Sequence, residues 1–168
     1  MATTVIYLEM TDPGELRAAP AVAGLALARA DGSSPAVQEV QAEVGRPHGW
    51  RSAHRTARDW AAYRAEHPRR QSWLLTHHGG PAGIVALEPH PDREVEITTF
   101  GLLPAMVGRG LGGYALTLAL RQAWATSPLG GGPARRIWLH TDSDDHPNAL
   151  PNYHKRGLRT FRTEVRDA

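Results

Sequence analysis

Residues 106–113, MVGRGLGG, constrain this chain more than any other stretch. Before them, residues 94–103 (EVEITTFGLL) alternate, Val95, Ile97 and Thr99 against Glu94, Glu96 and Thr98, which is the period of a strand. After them, residues 110–125 read as a helix. A glycine-rich turn from strand to helix exposes unpaired N–H groups at the positive end of the helix and lets the backbone approach a ligand closely. Phosphate oxygens suit such a place. The alternative is a flexible connection, with Arg109 in its middle weighing toward a ligand.

Gly108, Gly110 and Gly113 also fit GxGxxG, the dinucleotide fingerprint. The context argues against it. Only 55 residues follow Gly113, too few for the remaining units of a doubly wound sheet, and the preceding strand alternates with charge. Asp142 is 29 residues beyond Gly113, where a ribose-binding acid belongs about 20 residues on. The GK[ST] ending of a phosphate-binding P-loop is missing.

The rest of the chain reads as mixed α/β. Residues 4–10 form a first strand, and residues 15–29, rich in Ala and Leu, a helix. Residues 36–44 form a second helix, and 45–54 are irregular. Thr56 and Asp59 stand at capping-box spacing before a third helix that ends near His67-Pro68. Residues 71–76 and 82–87 pair as a hairpin. Residues 134–141 are a strand, 148–156 a short helix with Gly157 at its end, and 158–165 a last strand. No repeat or long linker interrupts them, so residues 1–168 are expected to be one domain.

Composition narrows function by exclusion. With no cysteine, the chain has no disulfide, no Cys-ligated metal and no thiol nucleophile. Asp142-Ser143-Asp144-Asp145 imitates the start of a calcium loop but lacks its glycine and distant Glu, and His77-His78 is a turn pair, so no metal site is expected. Net charge is +2, from 19 basic and 17 acidic residues, and no block of like charges marks a nucleic-acid tail. Lys155 is the single lysine. No apolar run approaches the roughly 18 residues of a membrane span, and no signal-peptide core opens the chain, so a cytoplasmic location without membrane partners is expected.

Two segments in order resemble the GCN5-related N-acetyltransferases (GNAT). Residues 100–112, FGLLPAMVGRGLG, resemble motif A, Gln/Arg-x-x-Gly-x-Gly/Ala, with Gly110 and Gly112 in the glycine positions and Val107 departing from Gln/Arg. Residues 137–158, IWLHTDSDDHPNALPNYHKRGL, resemble motif B, with Leu158 in place of the usual aromatic after the glycine. The resemblance covers roughly residues 71–165. It implies a mainly antiparallel central sheet with flanking helices, in which strands 94–103 and 134–141 splay as a parallel pair around acyl-CoA. Backbone of Phe100, Leu102 and Leu103 would meet the pantetheine arm. Val107, Gly108, Arg109, Gly110, Leu111, Gly112 and Gly113 would hold the pyrophosphate, and Asn148 would add a polar contact.

The implied activity is transfer of an acetyl or other acyl group from acetyl-CoA to a primary amine of a small molecule, by direct attack in a ternary complex. An ammonium near pKa 10 must lose its proton before attack, and a thiolate must leave. Glu96 is a candidate to relay the amine proton, or an exposed strand carboxylate; Glu94 shares its face and competes. The resemblance assigns Tyr153 to protonating the sulfur, the alternative being a packing tyrosine. His140 and Thr141 end the second cleft strand and face substrate on this reading. Trp50, within the Arg- and His-rich stretch 46–58, is an acceptor wall or a core residue. Other donors and roles stay open: aminoacyl-tRNA as acyl donor, with tRNA as a partner, and a non-catalytic acyl-CoA sensor. A homodimer is the assembly the family favours.

Overall fold

The computed structural model describes residues 1–167. Seven strands, β1 (Thr3–Met10), β2 (Leu25–Ala30), β3 (Gln71–His77), β4 (Gly80–His90), β5 (Glu94–Leu102), β6 (Arg136–Asp142) and β7 (Arg159–Arg166), form one sheet in the order β2-β3-β4-β5-β6-β1-β7. Every neighbouring pair is antiparallel except β5 and β6. Four helices flank it: α1 (Pro35–Gly45), α2 (Ala57–Glu66), α3 (Gly112–Ala125) and α4 (Ala149–Lys155). The mixed architecture and the single parallel pair are those expected.

The alternation of β5 sets the two faces. Val95 and Ile97 join Leu8, Val85, Ile137 and Leu139 in the main core, closed by Ala115, Leu116, Ala119 and Leu120 of α3. A smaller core on the opposite face gathers Val37, Val44 and Ile84 under α1. At about 25 cal/mol per Å² of apolar surface removed from water, the larger cluster dominates stability. Gly101 lets α1 lie close: a Cβ there would sit 2.5 Å from Val44 Cγ1.

The expected helix over residues 15–29 is not formed. A single 3-10 turn (Pro13–Glu15) is followed by extended chain and then by β2. Gly24, at φ +78°, turns the chain, and residues 25–30 pair with β3 from Leu25↔His77 to Ala30↔Ser72. Helix propensity in this Ala/Leu segment is worth only tenths of a kcal/mol per residue, and strand pairing outweighs it. The extended piece is tied across the molecule, Arg17 N–H to Arg156 carbonyl and Ala19 N–H to Thr117 Oγ1. The capping box at Thr56 and Asp59 is present as read, with both reciprocal bonds made.

The feature that makes a site is the parting of β5 from β6. They pair only over Glu94↔Arg136, Val95↔Ile137 and Glu96↔Trp138. On its other edge β5 pairs with β4 as far as Leu102, with a register shift that leaves Thr98 as an extra residue between Ile97 and Thr99. Such a bulge bends and twists a strand. Beyond it one edge of β5 has no strand partner, and a V-shaped cleft opens toward the α3 N-terminus.

Because Val44 is stiff and buried, Gly101→Ala is expected to lower unfolding free energy by about 1–3 kcal/mol in urea denaturation, with the m-value unchanged.

Candidate active site

The first chamber of the cleft, about 520 Å³, lies under the glycine turn. Gly108 and Gly110 hold φ of +79° and +77°, a region that L side chains enter only at a cost. Helix α3 starts with no side-chain cap at Leu111, so its first N–H groups face the chamber mouth. Phe100, Leu102, Val107, Gly108, Gly110, Leu111, Gly112, Gly113 and Asn148 all line this space. Leu103 and Arg109 do not. Leu103 packs in the small core below α1, and Arg109 turns its guanidinium back to Met106 Sδ at 3.6 Å.

The cation that does line the chamber is Lys155, at the end of α4. Asn152 lies there too, and its Nδ2 donates to the Gly112 carbonyl at 3.0 Å, fixing α4 to the start of α3. Neither was singled out from sequence, although Asn148, Asn152 and Lys155 stand at i, i+4, i+7 and so on one helix face. His146 Nδ1 accepts the Asn148 N–H at 3.1 Å just before α4.

A second chamber, about 450 Å³, opens on the α1 face between the parted strands and the turns after α1. His48, Trp50, Phe100, Asp145 and Tyr153 line both chambers and form the passage between them. His140 and Thr141 line the second. Trp50 packs on the smaller core as well as lining both chambers, and its indole N–H donates to Asp145 Oδ1 at 3.3 Å.

Asp145 organises the passage. Its Oδ2 accepts from the Thr141 hydroxyl and from the Asp142 N–H. In the sequence this acid belongs only to the imitation of a calcium loop, and its place at the passage comes from the fold. Tyr153 is 6% exposed, its ring edge-on to Phe100 at 6.3 Å. Burial, with the Asp145 charge adding to it, pushes its phenol above the ordinary tyrosine value. The group therefore stays protonated through the physiological range.

Glu94 and Glu96 lie outside both chambers. Glu94 is held by Arg136 at 3.0 Å, and Arg136 also binds Glu9 at 3.0 Å, so one guanidinium bridges β5, β6 and β1. Glu96 Oε1 lies 2.8 Å from His90 Nε2, on the last paired residue before the strands part. These carboxylates sit at the closed end of the V because the pairing they belong to is what closes it.

A splayed parallel pair with a glycine turn at its mouth is the architecture that the resemblance to the GNAT family implies. The family described as "Acetyltransferase (GNAT) family" matches residues 37–158, and the chain belongs to that family, whose members transfer acyl groups from acyl-CoA. Solved structures agree on the fold. A GCN5-related N-acetyltransferase from Kribbella flavida shares 23% identity at TM-score 0.62, over 98% of this chain and 58% of that one. Another from Sphaerobacter thermophilus shares 14% at TM-score 0.67, over 98% and 50%. A Bacillus subtilis acetyltransferase solved in complex with CoA shares 17% at TM-score 0.56, over 80% and 76%. The chain thus spans about half to three-fifths of the first structures it resembles. No curated protein matches it. No helix among the described residues is long and apolar enough to cross a membrane.

Gly110→Val, forced into a left-handed conformation, is expected to weaken CoA binding about tenfold or more by calorimetry. Arg109→Ala is expected to change it less than about threefold, and Lys155→Ala more than that, since only Lys155 reaches the chamber.

Proposed function

We propose that the protein is an N-acetyltransferase that moves an acetyl group from acetyl-CoA to the primary amine of a small molecule, by direct attack with both substrates bound. The observation that supports this most is the pair of chambers meeting at Tyr153 and Asp145. Donor and acceptor can then enter from opposite sides and touch without a covalent enzyme intermediate. The donor chamber suits a long, phosphate-bearing thioester. The unpaired edge of β5 offers main-chain groups to the pantetheine arm as a strand partner would, and the glycine turn and α3 offer N–H groups to the pyrophosphate.

In this reading the Asp145 carboxylate faces the incoming ammonium, attracts it and draws off its proton. The free amine then forms the new C–N bond as the C–S bond breaks. The Tyr153 hydroxyl donates a hydrogen bond to the departing sulfur. Its raised pKa lies above that of a thiol near 8.5, so the phenol keeps its proton and stabilises the thiolate, which leaves to be protonated by solvent. Glu96, engaged by His90 outside the chambers, is not needed for this path.

Calorimetry with acetyl-CoA, followed by thiol release with an amine panel, tests the proposal. Micromolar binding with turnover is the expected result. No acetyl-CoA binding together with clear binding of aminoacyl-tRNA would overturn the donor assignment. Tyr153→Phe is expected to cut kcat about 10²-fold while leaving KM for acetyl-CoA within about threefold. Glu96→Gln is expected to stay within about threefold of the parent rate. The pH profile follows in sign: with the phenol titrating above its ordinary value of about 10, kcat/KM is expected to show no falling limb from Tyr153 below about pH 10.

A further inference from the structure

The wall of the second chamber farthest in kind from Asp145 is built by the turn of residues 51–54 and the start of α2. Two polar groups there are buried without partners. Ser52 is 4% exposed, lines the chamber, and its Oγ makes no hydrogen bond within the protein. Arg55 lines the same chamber, and its Nη1 is likewise buried and unpaired. A buried donor left without an acceptor costs about 1–3 kcal/mol, more when charged, so two in the lining of one chamber call for a ligand.

Arginines dominate this wall; the acids that line the chamber, Asp142, Asp144 and Asp145, come from the end of β6 and the loop after it, and the exposed Asp59 of α2 feels the Arg55 charge from outside the chamber. Arg55 is stacked over the Tyr63 ring at 3.8 Å and the Trp60 ring at 4.6 Å, which fixes the guanidinium plane but supplies no counter-charge. Arg51 and Arg70 line the chamber as well, and only Arg70 has a carboxylate, Glu88 at 3.2 Å. Desolvation pulls the Arg55 pKa below its usual value, the Tyr63 hydroxyl opposing this, and the charges of Arg70 and Arg51 adding to it. Among the described residues no acid makes an ion pair with Arg55 or Arg51, so Arg55 is a desolvated, pre-oriented cation in the chamber wall. The opposite end of the same chamber carries Asp145. One end therefore asks for an anion and the other receives an ammonium.

We infer that the acceptor is an amine that also carries an anionic oxygen group, a carboxylate or a phosphate, and that Arg55 and Ser52 bind that group while the amine reaches Asp145 and Tyr153. The inference rests on the acetyltransferase reading above and adds the acceptor's chemistry to it. A planar guanidinium fork matches either anion in a bidentate pair, and a neutral amine of the same length would leave it unpaired, which is the condition under which a site discriminates strongly.

The test measures kcat/KM by thiol release from acetyl-CoA for matched acceptors: amino acids against their decarboxylated amines (lysine and cadaverine, histidine and histamine, phenylalanine and phenethylamine), and phosphoethanolamine against ethanolamine. The expected result is that in at least one pair the anionic member is preferred by about tenfold or more. The pair that shows it tells carboxylate from phosphate. In Arg55→Gln that ratio is expected to collapse toward one, mainly through acceptor KM, with acetyl-CoA affinity unchanged; Arg55→Lys, which keeps charge and loses the fork, is expected to fall between. A ratio within one variant is insensitive to how much of that variant is folded. Preference for the neutral members, or a preference that survives Arg55→Gln, would overturn the inference. So would the absence of turnover with every acceptor while calorimetry shows acetyl-CoA bound, and in that case the donor reading stands. Failure of acetyl-CoA to bind would sink both.

Discussion

Everything functional in this protein depends on three residue pairs between two strands and then none. Strands β5 and β6 are held together at Glu94, Val95 and Glu96 and separate immediately afterwards. The bulge at Thr98 supplies the bend. The ion pairs of Arg136 with Glu94 and Glu9 hold the closed end across three adjacent strands. Half-buried pairs of this kind gain less than their Coulomb attraction, because desolvation opposes it, but they specify which strands meet and in what register. A parallel pair closed along its whole length would bury Phe100, Thr141 and the unpaired edge of β5 against each other and leave no cleft.

The cleft divides its chemistry by element. On the proposed reading the donor side offers mostly main-chain groups, from the open edge of β5, the left-handed glycines and the uncapped α3, with the Lys155 side chain beside them. Main-chain recognition tolerates changes of side chain, which explains how Val107 can stand where the family pattern has Gln or Arg. The acceptor side is built from side chains on the turns between α1 and α2, with Asp145 and Tyr153 contributed from the far end of the fold. The two sets meet at Trp50, Phe100 and Tyr153. Removal of water at that junction is what raises the Tyr153 pKa, and the same dryness strengthens any hydrogen bond the phenol makes.

Membership of the GNAT family supports acyl-CoA as the donor, and the solved structures, at 14–23% identity, show the fold. They do not extend to the acceptor half, since likeness at that level is likeness of fold. The pattern fits how such a scaffold is used: a donor common to many reactions is bound by backbone, while the acceptor is chosen by loops whose side chains vary.

Local pattern sufficed for what depends on neighbours in the chain. The period of β5, the turn and helix after it, the capping box at Thr56 and the hairpin of β3 and β4 all appear where the residues imply them, because their hydrogen bonds close within a few positions. The donor-chamber glycines were legible for the same reason, since a positive φ is a property of one residue. Residues 25–30 were not, because their strand exists only through pairing with β3, more than 40 residues away. Glu96 and Asp145 show the same division in the site. Sequence places Glu96 on a cleft strand, but only the register with β6 and the partner His90 put it at the closed end. Nothing local marks Asp145 as the acid at the passage, because its neighbours there, Trp50 and Thr141, come from a distant turn and from another strand. The sequence by itself thus determined most of the elements and the glycine turn before α3; the tertiary structure decided β2, and which acids line the cleft and which close it, because these are set by pairings that no local pattern contains.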